Sequence, residues 1–195
     1  MTRIGIFLFD GAEELDWAGP WEVLAAWGHL WPGDLVEVFT VAATDAPVTC
    51  AKGLRVLPDH AWAAAPVADV LIVPGGSGTR PLTRDEPTLA WVRSHADRGA
   101  LVTSVCTGAL VLAAAGLLRD RPATTYWSAF DELLALEPTV EPRPDDRFVD
   151  VGEIVTAAGV SAGIDMALHL VARLHSVERA REVRRYIQYD PMPPV

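Results

Sequence analysis

The segment Leu101-Val102-Thr103-Ser104-Val105-Cys106-Thr107-Gly108 joins a short β-branched apolar run to one cysteine and then to an alanine- and leucine-rich stretch. A strand handed directly to a helix must turn sharply, which lifts the turn residue out of the sheet and leaves it at a helix N-terminus. Unpaired N–H groups and the positive end of the helix dipole favour a thiolate there, so Cys106 is expected to be an exposed nucleophile of lowered pKa. The elbow pattern, glycine two residues on either side of the nucleophile, is half met: Ser104 precedes Cys106 and Gly108 follows it.

A nucleophile needs partners, and two further loops could supply them. One is Asp10-Gly11-Ala12-Glu13-Glu14-Leu15-Asp16-Trp17, and the other is Pro74-Gly75-Gly76-Ser77-Gly78. A carboxyl group beside the thiol, protonated through desolvation and the neighbouring thiolate, could donate or shuttle a proton. Glu13, Glu14 and Asp16 all qualify. Asp16 also fits as the N-cap of a helix over 21–30, with Pro20 in the first turn. Gly75 and Gly76 read as a tight turn, and an amide there could join the Thr107 amide in cradling negative charge on a bound substrate. Trp17, Trp21, Leu24, Gly28 and Trp31 share a helical face, the mark of core or of a subunit interface, and Trp17 is also a candidate wall for an apolar pocket. The five histidines have no recognisable catalytic partner, and Cys50 reads as a packed thiol.

The elements that must position these loops follow from the apolar pattern. Residues 4–9, 36–41, 70–73 and 101–105 are apolar runs of the kind covered on both faces in a parallel sheet. Helices are expected over 21–30, 88–97, 107–118, 162–174 and 177–187. This alternation predicts an α/β three-layer sandwich, doubly wound around a mostly parallel central sheet, with ligands bound beyond the carboxyl ends of the strands. Residues 138–146, rich in proline and acid, are expected to form an exposed loop. A hairpin follows as an ordinary connection, with 148–151 and 154–156 flanking Gly152-Glu153, and 190–195 reads as a stiff extended end.

Composition narrows the function. The 195 residues suit one domain, 1–195, and 50% hydrophobic with 22% charged residues is a globular balance. A net charge of −10 repels phosphate backbones and anionic membranes, so no nucleic acid and no membrane partner is expected. The N-terminus runs straight into a strand-like segment and the longest apolar stretch, 109–118, is too short to span a bilayer, which points to the cytoplasm. Two cysteines, neither in a metal-ligand spacing with histidine, imply neither a disulfide framework nor a metal.

The chain resembles the ThiJ/PfpI superfamily, whose flavodoxin-like fold is similar to class I glutamine amidotransferases. The resemblance is carried by GAEELDWAGPWEVL (11–24), VPGGSGTRPL (73–82), SVCTGALVLAAAGLL (104–118), ATTYW (123–127), TAAGVSAGIDMALHLV (156–171) and the YDPMPP ending. Within it, the chain is most similar to isonitrile hydratases, which implies a homodimer acting on a small molecule without a cofactor. That resemblance assigns the chemistry to Cys106, Thr107 and Asp16. Asp16 holds the LDxxGPxEV position that supplies the acid beside the cysteine. Many relatives place histidine after the cysteine or in an ATTHW segment; here Thr107 and Tyr126 stand there, so a Cys-His-acid triad is not implied. The same residues admit a glyoxalase- or deglycase-like reaction on α-oxoaldehydes, or a non-enzymatic redox or ligand sensor.

Overall fold

The computed structural model describes residues 1–191. Its strands are β1 (Thr2–Phe7), β2 (Val36–Ala42), β3 (Val48–Thr49), β4 (Arg55–Val56), β5 (His60–Ala61), β6 (Val70–Val73), β7 (Leu101–Val105), β8 (Pro122–Ala123), β9 (Glu141–Pro142), β10 (Phe148–Asp150) and β11 (Ile154–Ala157). The helices are α1 (Glu14–Leu30), α2 (Thr79–Leu82), α3 (Glu86–Asp97), α4 (Gly108–Ala114), α5 (Phe130–Leu136), α6 (Ala162–Leu174) and α7 (Val177–Tyr186).

Seven strands form the central sheet in the order β10-β11-β7-β6-β1-β2-β5, parallel throughout except for the β10–β11 hairpin. Helices α1, α6 and α7 pack together on one face, and α2 to α5 form the other layer. The three-layer, mostly parallel sandwich expected from the sequence is therefore the observed fold. The apolar runs form its centre because both of their faces are covered: Ile4, Ile6, Leu71, Ile72 and Val102 are all fully buried. Inside β7 the Thr103 hydroxyl donates to the Leu71 carbonyl at 3.1 Å, whereas the buried Ser104 Oγ has no partner among the described residues.

Several expected boundaries move, and two of the shifts matter for function. First, α1 begins at Glu14, not at 21, so Asp16 lies inside the first turn and Glu13 holds the N-cap position without a side-chain cap bond. Pro20 consequently sits within the helix, where it offers no N–H to the Asp16 carbonyl four residues back. Second, the hairpin is more than a connection: β11 pairs parallel with β7, from Ile154 opposite Val102 to Ala157 opposite Val105, and its end reaches the cysteine turn. The loop expected over 138–146 contains β9, which pairs with β8. Helix α4 stops at Ala114, short of 118, and Gly116 turns the chain at φ 77°. Of the extended end expected over 190–195, residues 192–195 lie outside those described.

Candidate functional site

Cys106 occupies the turn between β7 and α4 with φ 56°, a left-handed conformation that costs a non-glycine residue on the order of 1–3 kcal/mol. Its surroundings hold it there. The Cys106 N–H donates to the carbonyls of Ala157 and Ala158, both at 3.0 Å, and its carbonyl accepts from the Thr125 hydroxyl at 2.8 Å. The loop after β11 adds a second strained residue, Val160, at φ 43°, where a β-branched side chain is an outlier. Its amide, with that of Thr107, is aimed at the Cys106 sulfur.

Asp16 reaches the same sulfur with its side chain. The first turn of α1 directs the carboxyl group inward, and Oδ2 accepts the Gly75 N–H at 2.9 Å. Oδ1 is buried and accepts from no N–H or O–H among the described residues. Gly75 permits this convergence by having no side chain. A Cβ there would lie 2.6 Å from the Thr107 nitrogen, 2.7 Å from Asp16 Oδ2 and 2.8 Å from Cys106 Cβ. Gly75→Ala is expected to destabilise the fold by about 1–3 kcal/mol, the usual cost of overpacking, read as a lower urea midpoint at unchanged m-value.

Burial dominates the electrostatics of the pair. Asp16 is fully buried and Cys106 is 6% exposed. Desolvation, then the Asp16 charge, push the thiol up to about 12 against the opposing Thr107 and Val160 amides. Desolvation likewise raises Asp16 to about 7; the Gly75 amide opposes it, Glu13 adds to it, and the Cys106 hydrogen bond and Lys52 oppose it. The expectation of an exposed, low-pKa thiolate is therefore corrected: the helix N-terminus is present, but loss of water outweighs it. Between about pH 7 and about 12 the two groups hold one proton between them.

The Gly75 and Gly76 amides are also placed differently from expectation. Neither is free to cradle a substrate anion, because Gly75 N–H is spent on Asp16 and Gly76 N–H donates to Thr107 Oγ1 at 2.9 Å. They position the site instead. Thr107 Oγ1 also lies 3.2 Å from the Gly76 carbonyl and 3.2 Å from Thr79 Oγ1, so its hydroxyl is fixed beside the elbow. Trp17 is 9% exposed and packs in the main core, its buried indole N–H without a hydrogen-bond partner among the described residues, and burial pushes the nearby Cys50 thiol up. Among the Trp17 face, Leu24 is buried but Trp21 is 40% exposed. Glu13 and Glu14 do not share the thiol with Asp16; both pair with Lys52 at the rim.

Three contributors escaped the sequence reading: Val160, Thr125 and Thr79. Their roles pass through main-chain or hydroxyl bonds to the elbow, which leave no spacing signature. Tyr126 stands next to this network, its ring lying where a Cβ on Gly159 would be, 2.6 Å from Cδ2.

The sheet, the cysteine turn and the inward acid define a doubly wound, flavodoxin-like α/β protein with a cysteine–aspartate pair at the carboxyl edge of its sheet. More narrowly, the chain belongs to the DJ-1/PfpI family, whose sequence profile matches residues 2–173. It is 44% identical over 193 residues to an isonitrile hydratase from Pseudomonas putida, covering 98% of this chain and 80% of that protein. A glutathione-independent glyoxalase, DJR-1.2 from Caenorhabditis elegans, is 27% identical over 164 residues, covering 83% of this chain and 86% of the other. In three dimensions, the crystal structure of a ThiJ/PfpI family protein from Pseudomonas syringae superimposes with a TM-score of 0.85 at 35% identity, covering 100% of this chain and 77% of that one.

Proposed function

We propose that this protein is an isonitrile hydratase, adding water to R–NC to give the N-substituted formamide. The observation that carries the reading is the buried Asp16 carboxyl brought to the Cys106 thiol at the sheet edge, with the Thr107 hydroxyl fixed beside them. Above about pH 7 the resting pair is a thiol next to a carboxylate, poised for addition to a carbon that is both electrophile and proton acceptor.

Asp16 takes the thiol proton as the sulfur attacks the terminal isonitrile carbon, and the same proton passes to that carbon, forming a thioimidate, S–CH=N–R. The Thr107 and Val160 amides steady the sulfur while it carries charge. Asp16 then draws a proton from water, hydroxide adds to the imidate carbon and nitrogen is protonated. Breaking the C–S bond releases R–NH–CHO and returns the thiol. Water is the only other reactant. Thr107 orients the transferring proton; Thr107→Val is expected to lower kcat by about tenfold to a hundredfold, with Thr107→Ser restoring most of it.

The whole of 1–195 acts as one domain in this reading, in the cytoplasm and as a homodimer. Leu15 and Trp21, each 40% exposed on the outer side of α1, support such an interface. A redox sensor is less well supported, because it needs an accessible, acidic thiol. The test is formamide production from an alkyl isonitrile, followed by NMR beside methylglyoxal at equal concentration. Turnover of the oxoaldehyde alone would transfer the assignment to a glyoxalase-like reaction.

A further inference from the structure

The rim of the site holds a guanidinium that the hydration scheme leaves unused. Arg80, the second residue of α2, follows Thr79, whose hydroxyl donates to the Gly76 carbonyl at 2.8 Å. That carbonyl also receives Arg80 Nη1 at a long 3.4 Å, so the arginine and Thr107 meet at the same oxygen. Glu132 of α5 grips the opposite edge of the guanidinium, with Nε to Oε2 at 3.0 Å and Nη2 to Oε1 at 2.7 Å. A planar guanidinium offers two edges suited to bidentate carboxylate binding. Glu132 fills one and fixes the plane. On the other edge Nη1 makes only the long contact to the Gly76 carbonyl among the described residues, on a side chain 46% exposed, and a charge on Cys106 is felt at Arg80.

We propose that Arg80 selects isonitriles that carry a carboxylate on a short tether, receiving it on the Nη1/Nη2 edge while the isonitrile carbon lies against Cys106. The proposal rests on the hydratase reading and names its substrate class. It also accounts for a second cation at the rim, where Lys52 is already taken by Glu13 and Glu14. A substrate carboxylate brought near the buried Asp16 charge gains from a fixed positive partner.

Two measurements test it, one of them independent of turnover. Iodoacetate and iodoacetamide differ mainly in the carboxylate, so the ratio of their alkylation rates at Cys106, read by intact and peptide mass, reports anion recognition beside the sulfur. Arg80→Gln is expected to lower that ratio about fivefold. The ratio of kcat/KM for a carboxylate isonitrile over its methyl ester should fall in parallel in Arg80→Gln. If neither ratio moves in Arg80→Gln, the proposal is overturned. If the alkylation ratio falls but the wild-type protein hydrates no isonitrile, the hydratase reading fails and the carboxylate subsite stands.

Discussion

Cys106→Ser is expected to slow formamide formation by at least about a thousandfold, the scale on which removal of a covalent nucleophile acts. Serine keeps nearly the same size and can occupy the turn at φ 56°, so the fold should persist, with a melting temperature within about 4 °C of wild type, the equivalent of roughly 1 kcal/mol. Two readouts separate chemistry from folding. Wild-type protein quenched in acid during turnover should gain the mass of one isonitrile at Cys106, and the serine variant should not. Retained turnover in the variant would remove the thioimidate from the mechanism and leave Asp16 activating water directly.

The second large effect belongs to Asp16→Asn. Asparagine can still accept the Gly75 N–H, but it can neither take the thiol proton nor return it, so kcat should fall by about a hundredfold to ten-thousandfold. Wild-type kcat/KM should rise with pH through about 7, as the pair loses its first proton, and this limb should vanish in the variant. Stability should move in the opposite direction. Asp16 has a folded pKa of about 7, raised by burial above its ordinary 3.8. As pH rises from about 4 to about 7 the unfolded chain ionises at this residue while the folded one keeps its proton, and folding stability falls by about 1.4 kcal/mol per unit. Removing the ionisable group removes that slope. Asp16→Asn should therefore be nearly as stable as wild type at pH 4 and more stable at pH 8, by as much as about 4 kcal/mol in urea unfolding. A wild-type protein as stable as the variant at pH 8 would show that Asp16 carries no burial penalty.

The architecture was largely legible because the apolar runs at 4–9, 70–73 and 101–105 are buried throughout, and the run at 36–41 over its second half, so they need no tertiary context to be recognised. Cys106 was legible for the same reason, since the run at 101–105 ends on it. Asp16 was not separable from Glu13 and Glu14 by physics alone; the LDxxGPxEV resemblance chose it, and of the three it is Asp16 whose carboxylate takes the Gly75 N–H, while Glu13 and Glu14 pair with Lys52. The start of α1 was misread because Pro20 usually marks a first turn, whereas here the helix begins earlier without a side-chain cap. The state of the thiol was misread because its burial depends on the loop after β11, distant in sequence. The glycine amides were misread because spacing shows that an N–H exists, not which acceptor has already taken it.

The pairing of β11 with β7 has a consequence for the order in which the protein acquires its chemistry. The carbonyls of Ala157 and Ala158 and the amide of Val160 belong to the late part of the chain. Until the chain reaches residue 160, Cys106 lacks the carbonyls that hold its N–H and one of the two amides that face its sulfur. A chain ending before residue 157 is therefore expected to carry the thiol without the contacts that set its backbone.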